Sequence, residues 1–298
     1  NNGGIAIRLV NCARLISGRL PGSLAQTNIV ANMLFGAISG SGTAAAAAIG
    51  GTMAPIELEE GYDKDYVAAV NIASAPTGQL IPPSNTLIVY ATVAGSVSVA
   101  ALFMAGYIPG IAWGISLMFI AGYMAKKRGY VSTFSVTPKE AIKVLWDALP
   151  SLLLIIIVIG GILKGVFTAT EGSAIAVVYA LILSLCYRSL KIKDLPSIIL
   201  SSCKTTCIVI FMIGVSSIMS WVMAYTMIPT AIANAMLSLS SNKYVILLLM
   251  NVILLVVGTF MDPTPAVLIF TPIFLPICQS FGMDPVQFGI MIVFNLCI

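Results

Sequence analysis

Long apolar runs alternate with short polar punctuation along this chain, and two kinds of run can be told apart. Residues 96–125 are apolar throughout and close on Lys126-Lys127-Arg128, while 152–167, 173–187 and 206–225 form three further uninterrupted runs. Their lengths suit helices crossing a hydrocarbon core about 30 Å thick. The second and third are joined by a tight turn around Thr170-Glu171-Gly172. The other kind of run is broken at its centre. Residues 24–55 carry SGSGT in the middle, 66–90 carry PTGQ and then PPSNT, and 244–276 carry TFMDPTPA between VILLLMNVILLVVG and VLIFTPIFLPI.

Lysine and arginine orient these runs. The Lys126–Arg128 cluster marks a cytoplasmic end. Lys139 and Lys143 precede the antiparallel pair, and Arg188, Lys191 and Lys193 follow it, so both its outer ends face the cytoplasm. Lys204 then precedes a span that crosses outward, and 66–90 starts in the cytoplasm and ends outside. Segment 24–55 follows the basic stretch Arg8–Arg19 and leaves through ELEEGYDKD (57–65). Both its ends therefore lie on the cytoplasmic side, which predicts a re-entrant hairpin. Segment 244–276 predicts a second hairpin entering from the periplasmic face.

Composition narrows the class. Of 298 residues, 59% are hydrophobic and only 9% charged, with a mean hydropathy of +1.02, against about 25% charged in a soluble domain. The chain is a multi-pass membrane protein in this reading. The net charge of +4 resides in short loops and follows the positive-inside bias, not a nucleic-acid-binding face. There is no histidine, and Cys12, Cys186, Cys203, Cys207, Cys278 and Cys297 lack paired metal spacing, so they read as isolated thiols in apolar helices. NNGGIAIRLVNCARLISGRLPG has arginines at 8, 14 and 19 and reads as an amphipathic arm helix stopped by Pro21-Gly22, not a signal peptide. FGIMIVFNLCI ends inside an apolar run, which reads as a chain cut at that end.

The breaks carry the candidate chemistry. Consecutive prolines exclude a continuous hydrogen-bond ladder, and unpaired backbone groups survive at membrane depth only when buried in protein or lining a wet cavity. There, freed carbonyls with Ser, Thr and Asn oxygens replace the water shell of a hard cation, and half-helix N-termini face an anion. Plainer readings stand beside this one: SGSG also suits a small-residue helix contact, and MDPTP also suits a Pro-kinked helix end. Asp262 weighs toward function, because an ionisable group in an apolar span is costly. Ser41 and Asn85 lie 44 residues apart. The same count from Asp262 lands near position 306, so the second hairpin's broken partner begins with FGIMIVFNLCI and is truncated. The expected fold is an all-α polytopic membrane protein with two inverted repeats, each a hairpin plus a broken helix. Residues 1–22 form the arm and 23–95 the first repeat, with its hairpin at 23–56 and broken helix at 66–92. Residues 96–205 supply scaffold helices, and 206–298 the second repeat, with its hairpin at 243–280.

FGAISGSGTAAAAAIGGTMAP, IPPSNTLIVYA, GVFTATEGSAIAVVYAL and GTFMDPTPAVLIFTPIFLPI together resemble the large membrane subunit of tripartite ATP-independent periplasmic (TRAP) transporters, over essentially the whole chain. The resemblance implies an inner-membrane, sodium-driven symporter for an organic acid such as a C4-dicarboxylate or sialic acid, working by an elevator motion. It implies no cofactor beyond sodium ions, and two partners: a small four-helix membrane subunit and a periplasmic substrate-binding protein. It places sodium at the hairpin tips and adjacent breaks: Ser39, Gly40, Ser41, Gly42 and Thr43 with Pro83, Ser84, Asn85 and Thr86, and Gly258, Asp262 and Thr264 on the other side. Asn85 and Ser41 are expected to share one ion; Asp262 either helps bind a second or fixes its tip. No Arg lies in a midplane segment, so substrate carboxylates depend on half-helix N-termini and on donors such as Ser41, Asn85, Thr86 and Thr264.

Glu171 in TATEG reads as a helix cap. Trp113, Trp146 and Trp221 read as interfacial or packing residues, and Met-rich IMSWVMAYTM (218–227) as a packing surface. The rival readings are a sodium–dicarboxylate carrier of the same superfamily that needs no binding protein, an intramembrane enzyme and a channel. The enzyme lacks a histidine or paired midplane carboxylates. Two opposed hairpins favour alternating access over an open pore.

Overall fold

In the computed structural model, residues 5–95, 97–130, 138–187, 189–227, 231–232 and 242–298 are described. Arg188, part of the arm (1–4) and much of 228–241 lie outside the described residues. Regular structure among them is helical. Six described helices are long and apolar enough to cross a membrane, as a multi-pass membrane protein requires. The backbone divides into two compact units, residues 1–84 with 106–192, and 85–105 with 193–298.

The first unit opens with α1 (Ile5–Ser17), α2 (Ser23–Ser39), α3 (Gly42–Glu59), α4 (Lys64–Ser74) and α5 (Thr77–Leu80). α1 ends at Ser17, short of the stop expected at Pro21-Gly22, and Gly22, at φ 67°, is the N-cap of α2. α1 buries Leu9, Val10 and Ala13 against α2, and Ile29, Phe35, Ile49, Met53 and Val70 extend that core across α2, α3 and α4. The later turns of α7 (Val99–Arg128) close it with Ala121 and Ala125. Polar stitches register α7 on the same core. Tyr66 Oη donates to the Ala121 carbonyl (2.8 Å), Gln26 Nε2 to that of Met118 (2.8 Å) and Trp113 Nε1 to that of Ala73 (3.0 Å). Trp113 is therefore a packing residue with its donor satisfied.

α8 (Pro138–Leu163) and α9 (Ala169–Cys186) complete this unit. Their connection lies at 164–168, earlier than the turn expected at 170–172. Thr168 caps α9 by accepting from Glu171 N, and the Glu171 carboxylate accepts in return from Thr168 N (2.7 Å). This reciprocal box starts the helix before Glu171 and gives Glu171 the capping role.

The second unit holds α6 (Asn85–Ala94), the first turns of α7, α10 (Leu195–Tyr225), α11 (Lys243–Phe260), α12 (Pro263–Ser280) and α13 (Pro285–Cys297). α6 packs on α12 and α13, with Leu87 and Tyr90 fully buried beside Phe288 and Ile292. Tyr90 Oη donates to the Pro285 carbonyl (2.6 Å), and Gly289 makes room for its ring, which a Cβ there would meet at 2.3 Å. α10 begins at Leu195, eleven residues before the expected start at 206. Lys204 thus lies inside the helix, on its exposed side, where a long stem carries its charge away from the apolar face.

Candidate functional site

The first interrupted helix ends where its sequence says it must. Gly40 adopts the left-handed conformation (φ 61°) as the C-cap of α2, its N–H donating to Gly36 O (2.8 Å). Ser41 then turns extended (φ −137°), and its Oγ caps α3 by accepting from Ala44 N. The carbonyl end of one helix thus meets the N–H end of the next across two residues. Side-chain oxygens crowd the same turn: Ser41 Oγ lies 3.1 Å from Thr43 Oγ1, and Ser39 Oγ donates to Ser41 O (3.3 Å). Ser39, Gly40, Ser41, Gly42 and Thr43 form the junction between α2 and α3.

Glycine lets the second break approach this tip. A Cβ on Gly36 would fall 2.1 Å from Gly78 Cα, and one on Gly42 3.3 Å from the Ala75 carbonyl. α2 and α5 are therefore in backbone contact. α5 is a single turn, followed by Ile81-Pro82-Pro83-Ser84, in which Ser84 is fully buried. Asn85 and Thr86 open α6 in the second unit; Asn85 is exposed and Thr86 buried.

In the second unit Gly258 packs against the backbone of α13: a Cβ there would sit 3.0 Å from Leu296 Cα. α11 ends at Phe260, and Asp262 caps α12 with Oδ1 accepting from Thr264 N (3.0 Å). α12 starts at Pro263, because a proline at the first helical position gives up a donor that has no intrahelical partner. The Asp262 side chain thus caps α12 at this tip.

Polar residues that the sequence reading passed over sit behind both tips. Asn32 Nδ2 in α2 donates to Asn28 Oδ1 (2.8 Å) and reaches Ser74 Oγ (2.8 Å) and Asn71 Oδ1 (3.2 Å) in α4. Asn71 Nδ2 donates to the Ala46 carbonyl of α3 (3.0 Å), so one amide cluster ties α2, α3 and α4. In the second unit Asn295 Nδ2 of α13 donates to Asn251 Oδ1 of α11. Asparagines inside apolar helices were the available signal, since such groups bond across helices.

The family model for "Tripartite ATP-independent periplasmic transporter, DctM component" matches residues 1–298. An uncharacterised Salmonella typhimurium protein, YgiK, is 55% identical over 298 residues, covering 100% of this chain and 68% of its own length. The isethionate TRAP transporter permease protein DctMQ of Oleidesulfovibrio alaskensis is 40% identical over 99% of this chain and 47% of its own length. The sialic acid TRAP transporter large permease protein SiaM of Vibrio cholerae is 36% identical over 100% of this chain and 70% of its own length. Motifs, broken helices and matched length agree, and the chain belongs to the DctM family of TRAP transporter large permease components.

Proposed function

We propose that this chain is the membrane permease of a sodium-coupled, elevator-type importer of an organic acid across the inner membrane. Its substrate is handed over by a periplasmic binding protein, and a small four-helix subunit completes the membrane part. Family membership supports the transport class, and relatives named for isethionate and sialic acid support an organic anion as cargo.

The observation that carries the reading is the tip at Gly40-Ser41. A helix C-terminus bears partial negative charge and suits a cation, while the following N-terminus suits an anion. Ser39, Ser41 and Thr43 add three hydroxyl oxygens to that turn. We assign sodium binding to these oxygens and, from the sequence motif alone, to Pro83, Ser84, Asn85 and Thr86, with Asn85 as the amide ligand. Substrate would meet hydroxyl and N–H donors at Ser41, Asn85, Thr86 and Thr264. Gly258, Asp262 and Thr264 supply the second tip.

We read residues 23–95 and 206–298 as the two copies of an inverted repeat. In each, an asparagine on the first hairpin helix bonds a polar residue on the following broken helix at nearly equal separation, 42 residues for Asn32–Ser74 and 44 for Asn251–Asn295. A glycine of each first helix also meets backbone in the following segment, Gly36 that of Gly78 and Gly258 that of Leu296.

The test is sodium titration of uptake by the full-length transporter in proteoliposomes, with its binding protein present. Asn85→Ala is expected to raise the half-saturating sodium concentration at least several-fold with normal membrane abundance. Uptake that ignores sodium in the unmutated protein would overturn the coupling, and an unchanged sodium curve in the variant would overturn the role of Asn85.

A further inference from the structure

One buried carboxylate takes no part in the site described above. Glu57, in the last turn of α3, is 0% exposed. Its Oε2 accepts one hydrogen bond, from Asn28 Nδ2 (3.2 Å), and its Oε1 is buried with no partner. Removing an ionised carboxylate from water is strongly unfavourable unless a cation or several donors replace the lost hydration. A single amide is a weak replacement.

Charged groups lie on the elements around this carboxylate, but among the described residues Asn28 is its hydrogen-bond partner. α2 and α5 carry no titratable side chain. α1 brings Arg8, Cys12 and Arg14, α4 brings Lys64, Asp65 and Tyr66, the end of α7 brings Lys126, Lys127 and Arg128 with Tyr130 after it, and the chain around Glu57 itself carries Glu59, Glu60, Tyr62 and Asp63. None of these hydrogen-bonds or ion-pairs with Glu57 in the described residues. Tyr62 and Tyr66 feel its charge, but as neutral phenols they do not offset it. The main-chain setting is fixed, with Tyr62 N donating to the Glu57 carbonyl (3.0 Å).

We propose that Glu57 is a proton-binding site at the foot of the first hairpin, taking one proton from water onto its unpartnered Oε1 and releasing it again as pH rises. The step forms one O–H bond and breaks none in the protein. A proton is the ligand that one bare oxygen accommodates; a metal ion needs several converging oxygens. Burial raises the Glu57 pKa from 4.5 to about 7, with the Asn28 hydrogen bond pulling the other way. The site therefore titrates near neutrality, where an ordinary carboxyl is fully ionised.

The proton has a route of influence. Asn28, which donates to Glu57, accepts from Asn32, and Asn32 also holds Asn71 and Ser74 of α4. Ionising Glu57 turns its bond with Asn28 into a charge-assisted one, which is the stronger kind, and so loads the amide chain that binds hairpin to broken helix. This inference does not rest on sodium coupling or on the identity of the substrate.

The folded value lies above the unfolded one, so the protonated site contributes its full stability below about pH 4.5. That contribution is lost as pH rises to about 7. The experiment compares melting of purified full-length transporter in detergent from pH 4.5 to 8.5, for the unmutated protein and Glu57→Gln, which copies the protonated shape. Relative to Glu57→Gln, the unmutated protein should lose roughly a hundredfold in its folding equilibrium over this range, read as a falling melting temperature. Infrared spectra should show a protonated-carboxyl band that fades between pH 6 and 8 and is missing in Glu57→Gln. Asn28→Leu, which removes the one donor to the ionised form, should move the fading to higher pH. Parallel melting profiles, or a titrating band that persists in Glu57→Gln, would overturn the proposal. Should Glu57→Gln fail to fold, the infrared midpoint decides: a shift in Asn28→Leu supports the site, and an unshifted midpoint or an absent band overturns it.

Discussion

At the scale of single residues, the hairpins depend on polar groups in apolar surroundings, each with a named partner. Asn32 is fully buried and its amide serves acceptors on two helices. Asn32→Ala strands Asn28 Oδ1 and weakens the tie to α4, at a cost of about 1–3 kcal/mol. A lowered melting temperature checks this, with Thr92→Ala as control, because Thr92 is exposed and bonds only back along its own helix; that variant should stay within about 0.5 kcal/mol of the parent. Asp262 poses a different question, since its carboxylate caps α12 through Thr264 N. Asp262→Asn retains a cap of about equal strength and should melt with the parent, whereas Asp262→Ala should lose about 1 kcal/mol. Sodium titration of Asp262→Asn then separates the two roles: a raised half-saturation at unchanged stability would assign the charge to an ion.

At the scale of elements, glycine decides how closely the broken helices approach. Gly36 and Gly78 bring α2 and α5 into backbone contact, so neither position has room for a Cβ. Gly36→Ala should force the two elements apart and cost several kcal/mol, seen as poor folding or a sharply lower melting temperature. Gly51, inside α3, has nothing within 4 Å of a built Cβ. Gly51→Ala should be neutral or gain up to about 1 kcal/mol from helix propensity. Both substitutions add one methyl group to a helix, so any difference between them measures packing and not propensity. The same contrast separates helix breaks that serve an approach from glycines that merely interrupt a run.

At the scale of the whole molecule, the claim at stake is inverted topology, which rests on the charge of the loops. In a cysteine-free background of the full-length protein, Lys64→Cys at the start of α4 should react with an impermeant thiol reagent only from the cytoplasm. Lys243→Cys, at the start of α11, should react only from the periplasm. Both positions are exposed, so labelling reports sidedness and not burial. Labelling of both from one face would remove the inverted repeat while leaving each unit's internal packing as described.

The sequence by itself determined what local chemistry dictates. Sparse charge and long apolar runs make a membrane protein, because only helices satisfy their own backbone there. Gly40 and Ser41 stop one helix and start another, since a left-handed glycine ends a ladder and a serine oxygen begins one. Thr168 and Glu171 carried a capping-box signal in plain sight, yet the turn was expected around 170–172, after the observed connection at 164–168. Only the tertiary structure decided which interior polar groups meet. Asn32 finds Ser74, Asn251 finds Asn295 and Glu57 finds Asn28, at separations of 42, 44 and 29 residues. Periodicity along a helix shows which face is apolar but not which neighbour it faces. Gly36 and Gly51 look alike in sequence for the same reason: the close approach that makes one irreplaceable belongs to a second backbone, and no local pattern records it.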